Sequence, residues 1–348
     1  MTTFPKSTLI FPSRRQFLQS TFFGAGTFVI AGVSGTQASG ESKKHSQRPN
    51  IRRLGTLDFG VNETTPIVFR DRLYRFEYIN RKYHRSSVPN DYFRFVDVET
   101  GELTPPFALD HHLGSAYVEN DVMYVFGVQG GWGGEKIDVF TSSDLVNWNS
   151  RTAIVKSGWK LYNNSVCKGD GRYIMAFEVG DPPDMVGSQF TSFFAESDDL
   201  LSWRFLGEDI AWTRDFYNGC PTIRFLDGYY YIFYLVRLPK RLQPDDDALP
   251  YETHLVRTRD FVTYERSPLN PVLTFDEGDR TILNPQINAE QQRRIAQSPN
   301  TNVSDMDLCE FRGEVIFYYS WGSQRGIEYL AEARYTGTLA EFLEAYYP

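Results

Sequence analysis

The sequence predicts an all-β fold: a five-bladed β-propeller of four-stranded antiparallel blades, its ring closed by an N-terminal strand. Three observations predict it. A strand–turn–strand unit rich in β-branched and aromatic residues occurs five times. A turn of the type S-D-L-x-x-W recurs after a third extended run. The chain then ends one strand short of a complete set, with a spare strand lying ahead of the first unit. A β-sandwich would not produce a four-strand period with a repeated turn after each third strand.

Taken in order, residues 1–38 read as an export signal. Ser13-Arg14-Arg15-Gln16-Phe17-Leu18 carries the twin-arginine pattern, an apolar run spans Thr21 to Val33, and Thr36-Gln37-Ala38 offers a small-residue cleavage site. The run is too short and too glycine-rich to span a bilayer comfortably, so no stable membrane insertion is expected once it is removed. The expected location is the periplasm or the outside of the cell. Residues 39–50 are polar and read as a flexible linker, and 51–348 as the folded domain. Loss of the signal removes Lys6, Arg14 and Arg15 and takes the formal charge from −8 to −11. So acidic a chain argues against a nucleic-acid partner. Cys167, Cys220 and Cys309 are odd in number and form no C-x-x-C pair, which excludes a fully paired disulfide framework and disfavours a zinc or redox site.

The five units are Pro66–Phe76, Ala116–Phe126, Ser165–Met175, Thr222–Tyr234 and Val303–Tyr319, with turns at Asp71, Asp121, Asp170, Asp227 and Gly313. Third strands are expected at Lys136–Thr141, Phe190–Glu196, Thr253–Arg257 and Ile327–Tyr335. The first three lead into Ser143–Trp148, Ser197–Trp203 and Thr258–Tyr264, where the aspartate caps the turn and the aromatic packs back on the sheet. The first unit uses Val96–Gly101 instead. The fifth has no fourth strand of its own, and Ile51–Leu57 is expected to supply it. Two insertions interrupt the period. Pro239–Pro250 reads as a loop, and Pro268–Asn302 holds a helix over Ala289–Gln297 with Asn288 as N-cap. Both are expected to shape the mouth of the ring.

In such a ring the first strand of each unit lines the axis, so polar residues ahead of those strands are the candidate site. They are Asn62 and Glu63, His111 and His112, Asn163 and Asn164, Asp215, Tyr217 and Asn218, and Asp305 and Asp307. Aligned on the turns, Glu63 and Asp305 hold the same place in their units. Glycoside cleavage needs one group to protonate the leaving oxygen and another to activate water or attack the sugar carbon. Glu63 is the first choice for base or nucleophile, Asp305 for its partner, and Asp215 is a third catalytic candidate; Glu178 ends a second strand and ranks below them. Trp132, in Gln129–Gly134, and Trp321, in Ser320–Gln324, occupy equivalent positions after second strands and are candidates for stacking on a sugar ring. Trp148 and Trp203 belong to the repeated turns and read as structural.

The architecture, the S-D-L-x-x-W turns and the aromatic second strands resemble the propeller glycosidases of families 32, 43, 62, 68 and 117. The resemblance covers nearly all of residues 51–348. It implies an exported glycoside hydrolase acting on a poly- or oligosaccharide. Family 43 opens its first blade with an aspartate base before a proline; here Glu63 precedes Thr64-Thr65-Pro66. Its acid is a glutamate in an E-G-P-like setting; here the stretch is Asn218-Gly219-Cys220-Pro221. Family 117 uses a histidine as acid, which implicates His112. The amides Asn163 and Asn218 also suit a non-catalytic carbohydrate-binding propeller, and the fold would equally carry a transglycosylase or phosphorylase. The chemistry requires no cofactor, and axial carboxylates are compatible with a structural calcium.

Overall fold

The computed structural model describes residues 48–84, 86–188, 190–239 and 249–348. The export signal, most of the linker and the centre of the first insertion lie outside the described residues. The rest is all-β, with sheets of three, four and four strands and one of eight that joins the last two units through a parallel contact between Tyr251 and Asn302.

β1 (Arg52–Phe59) precedes the first unit, whose sheet has three strands rather than the expected four: β2 (Asn62–Phe69), β3 (Arg72–Ile79) and β4 (Tyr92–Asp97). The second comprises β5 (His111–Glu119), β6 (Val122–Gln129), β7 (Lys136–Ser142) and β8 (Asn149–Val155). The third comprises β9 (Lys160–Gly169), β10 (Arg172–Asp181), the short helix α1 (Pro183–Val186), β11 (Thr191–Ser197) and β12 (Arg204–Phe205). The fourth comprises β13 (Thr222–Leu226), β14 (Tyr229–Arg237), β15 (Tyr251–Thr258) and β16 (Tyr264–Arg266). After helix α2 (Ala289–Gln297) come β17 (Asn302–Phe311), β18 (Glu314–Gly322), β19 (Tyr329–Thr336) and the terminal helix α3 (Leu339–Ala345).

Each of the hairpins β2–β3, β5–β6, β9–β10, β13–β14 and β17–β18 turns on two residues of positive φ: Arg70-Asp71, Asn120-Asp121, Asp170-Gly171, Asp227-Gly228 and Arg312-Gly313. Such turns match the twist of the flanking strands, which is why Asn, Asp and Gly recur there. The turn after the third strand is also one device used three times. Ser142, Ser197 and Thr258 accept hydrogen bonds from the backbone three residues on, and Asp144, Asp199 and Asp260 each accept two more. The aromatic residues of these turns reach back onto the preceding unit. Trp148 stacks on Phe107 at 3.9 Å, Trp203 meets Phe126 edge-on at 5.6 Å, and Phe261 packs on Phe194 at 4.7 Å. Neighbouring units are thus joined by aromatic burial.

β1 pairs antiparallel with β19, from Arg52↔Arg334 to Phe59↔Tyr329. The chain's start therefore lies beside its last strand. Arg53 pairs with the buried Asp279 at 2.6 Å, and Trp321 Nε1 donates to Thr56 Oγ1 at 3.0 Å. Helix α2 begins with a reciprocal capping box between Asn288 and Gln291. Units four and five are tied by α3, whose buried Phe342 lies against both Phe233 and Phe317.

Candidate active site

The first strands of the units carry a shared irregularity. Seven residues before the first turn residue of each hairpin stand Glu63, Leu113, Asn163, Cys220 and Asp305. Four of these have positive φ: Glu63 54°, Leu113 52°, Cys220 50° and Asp305 51°. The pairing register slips there, between Asn62 and Thr64 in β2, His112 and Ser115 in β5, and Ser304 and Asp307 in β17. A bulge of this kind re-aims a side chain out of the alternating pattern. All five residues line one cavity of about 290 Å³.

Four carboxyl groups share this cavity: Glu63, Glu178, Asp305 and Glu328. Among the described residues no Lys, Arg or His lines it. Asp305 has three hydrogen-bond donors in the protein. Its Oδ2 accepts from Ser304 Oγ at 2.7 Å, and its Oδ1 from the Cys220 thiol at 3.0 Å and Asn163 Nδ2 at 3.3 Å. Asn163 Nδ2 also lies 2.9 Å from the Cys220 sulfur. Glu178 accepts the Cys220 backbone N–H at 2.7 Å. A Cβ at Gly219 would stand 2.9 Å from its carboxyl carbon, so only glycine leaves the group room. Glu328 accepts from Ser323 N, Gln324 N and Asn302 Nδ2, and Gly322 leaves it space in the same way. Glu63 differs from the others: its buried Oε2 has no hydrogen-bond partner in the protein.

The electrostatics follow from burial without a counter-cation. Burial, then the charges of Asp305 and Glu178, push the Glu63 carboxyl well above the usual carboxylate range. Burial raises Glu178 to about 8 despite the Cys220 N–H, and Glu328 to about 7. Burial also raises Asp305, against the opposing pull of its three donors. The Cys220 thiol is pushed well up by burial and by Asp305, so it remains the proton donor in that contact. Within this cluster of acids, Glu63 and Glu178 are thus biased towards keeping their protons.

Aromatic rings form its walls. Tyr162 meets Trp132 at 5.4 Å and Phe190 at 5.0 Å, and Tyr217 packs on Tyr251 at 4.9 Å. Trp132 remains 69% exposed at the rim. Acids in a dry floor and aromatic rings at the rim suit a ligand with many hydroxyls and apolar C–H faces.

No protein-family model matches the sequence, and no curated protein sequence matches it. Solved structures do. A thermostable family-43 glycoside hydrolase aligns with a TM-score of 0.57 at 13% identity, over 83% of this chain and 92% of that one. Another structure, described as a glycoside hydrolase, aligns with a TM-score of 0.52 at 11% identity, over 82% and 91%. The GH32 beta-fructofuranosidase of Bombyx mori aligns with a TM-score of 0.51 at 12% identity, over 80% of this chain and 59% of its own. The fold is that of the glycosidase propellers.

Within this glycosidase propeller fold, six of the residues expected from the sequence share the cavity: Asn62, Glu63, Trp132, Asn163, Tyr217 and Asp305. Others do not line it, among them His111, bonded to Asp138, and Asp307, paired with Arg224. His112 is buried, accepts from Gly133 N at 3.2 Å, and is held neutral by burial, which lowers it to about 4. Asn164 ties Ser115 to the Leu113 carbonyl in the narrow space beneath. Asn218 is fully buried, bonding Ser192 N and the carbonyls of Thr213 and Phe216. Asp215 is exposed at the surface. Trp321 is fully buried. The residues equivalent to Glu63 in the second and fourth units are Leu113 and Cys220, one and two positions beyond the expected His112 and Asn218. Glu328, Tyr78 and Tyr251 carry no first-strand signal, and Glu178 only a weak one. Among the described residues no group of three or more His, Cys, Asp or Glu is arranged to hold a metal.

Proposed function

We propose that the chain is a glycoside hydrolase acting on a poly- or oligosaccharide. One observation carries this reading: carboxyl groups from several units converge on an aromatic-walled cavity of a glycosidase fold that no Lys, Arg or His among the described residues lines. Glu63 is the proton donor. It keeps its proton because it is buried among like charges, and its unpartnered Oε2 is free for a glycosidic oxygen. Asp305 is the opposing carboxylate. Three neutral donors stabilise its charge, which fits it to take a proton from water or to attack the sugar carbon. The O-glycosidic bond breaks, the Glu63 proton goes to the leaving oxygen, and water supplies the group that replaces it. This exchanges the roles expected from the sequence, in which Glu63 is the base. Trp132 stacks on the sugar at the rim.

The same reading takes the five hairpin units as blades of a five-bladed propeller, with β1 closing the ring through β19. Residues 1–38 are its twin-arginine signal, 39–50 its linker and 51–348 its catalytic domain, which works in the periplasm or outside the cell. The test is release of reducing ends from a panel of glycans by the wild type and Glu63→Gln. Hydrolysis by the wild type alone supports the reading. Glycan binding without hydrolysis by either would favour the binding-propeller alternative, which Asn163 and Cys220 at two of the five equivalent positions make concrete.

A further inference from the structure

The central cavity does not end at its own wall. The Tyr83 ring lines it and also lines a second, larger chamber of about 550 Å³. Residues 326 to 328 run along the same border, with Gly326 and Glu328 on the central side and Ile327 on the other. The two chambers differ in charge. Among the described residues the central one is lined by four carboxyls and no cation, while the second is lined by Arg81, Lys82, His84 and Arg294 against Asp58 and Glu290.

The cations of the second chamber are positioned and unpaired. Arg294 lies over the Phe59 ring, 4.9 Å from its centroid, and Lys82 over Tyr83 at 5.0 Å. Arg81 is anchored through a hydrogen bond to the Pro89 carbonyl. Among the described residues none of the three has a carboxylate within 4.0 Å. Asp58 is engaged elsewhere, accepting from Phe59 N at 2.7 Å and facing Arg75 at 4.0 Å. Burial also raises its pKa, which reduces its claim on the cations. In a chain of net charge −8, a group of exposed cations, Arg81, Lys82 and Arg294, beside a sugar-sized cavity is a local reversal of sign. Cations held over aromatic faces have lost part of their freedom in advance, so an arriving anion need not order them.

We propose that this chamber is a subsite for an anionic substituent of the glycan, a carboxylate or a sulfate, one sugar unit or more from the bond that is cleaved. The proposal rests on the glycosidase reading for its place in a substrate, but its test is binding, which does not need turnover. Calorimetry would use full-length Glu63→Gln with four probes: oligogalacturonide, its methyl ester, a sulfated galactan oligosaccharide, and its desulfated form. The expected result is that one anionic probe binds at least tenfold more tightly than its neutral counterpart, with affinity falling as salt rises. Adding Lys82→Gln and Arg294→Gln should remove that advantage and leave the neutral probe unchanged. Preference for the first pair identifies a carboxylate and for the second a sulfate. Equal binding of anionic and neutral probes, or an advantage that survives the double substitution, overturns the proposal. If the wild type hydrolyses nothing yet the charge-dependent binding is present, the glycosidase reading fails and the subsite stands. If the wild type hydrolyses neutral glycans and the charge-dependent binding is absent, the subsite fails and the glycosidase reading stands.

Discussion

Two glutamates of the first hairpin show how one fold treats the same side chain in two ways. Glu77 on β3 sits fully buried between Arg75 and Arg94, which bond its two oxygens at 2.7 and 2.6 Å. Burial pushes its pKa up, but the two guanidinium groups overrule this and hold it below the usual range. Glu63, in the β2 bulge, has no cation and an unbonded oxygen, so burial prevails and the proton stays. β17 repeats the contrast: Asp307 is closed by Arg224, while Asp305 faces only a thiol, an amide and a hydroxyl. Where the acid is compensated it holds the sheet together. Where it is not, it is reserved for a ligand.

The sharpest way to break this contrast is to substitute the paired positions. Asp305→Asn should lower kcat on a responsive glycan by roughly 10²–10⁴-fold, with the fold intact. Asp307→Asn should leave kcat near wild type and instead cost about 1–3 kcal/mol of stability; urea titration beside the assay reads both. Next in size, Glu77→Gln leaves Arg75 and Arg94 without a counter-charge and should destabilise by about 3–5 kcal/mol. Glu63→Gln should leave the melting temperature unchanged or raise it, because it removes a buried acid with no partner.

The pH dependence of stability sharpens the same point. Glu178 titrates near 8 in the folded protein, well above an ordinary glutamate. The folded state therefore binds the extra proton, and the stability this confers is full below the ordinary carboxylate range. It is lost as pH rises through about 8. Glu178→Gln should flatten that decline in denaturant titrations between about pH 5 and 9. The smallest effect is expected at the rim. Trp132→Ala should raise KM about fivefold, roughly 1 kcal/mol, with kcat unchanged, since stacking acts on bound substrate and product alike.

The fold was legible because its signals are local. A type I′ turn demands particular residues, and the Ser/Asp turn after each third strand announces itself in a few positions. Pairing of β1 with β19 was legible from the spare strand. The site was legible only in part, and the reason is a register. Counting back from Asp71 and Gly313 reaches Glu63 and Asp305. Those are second turn residues, whereas Asp170 and Asp227 are first ones, so one common count misplaces two units. Asn218 stood in for Cys220 because it heads Asn218-Gly219-Cys220-Pro221, the stretch set against the E-G-P-like acid of family 43. His112 was chosen for its polarity over its neighbour Leu113, the residue that the count from Asp121 reaches. Glu328 was invisible because it precedes a third strand, and Glu178 was faint because it ends a second. Trp132 and Trp321 look equivalent in sequence, but one follows its strand on an open loop and the other lies within β18 under Thr56.

The central claim is that Glu63 keeps its proton in order to give it to a leaving oxygen. The direct measurement compares kcat/KM of wild type and Glu63→Gln on a natural glycan and on a dinitrophenyl glycoside of the same sugar, whose leaving group needs no proton. The account predicts a loss of roughly 10²–10⁴-fold on the glycan and nearly full activity on the dinitrophenyl glycoside. Equal losses on both substrates, or none on either, would contradict it.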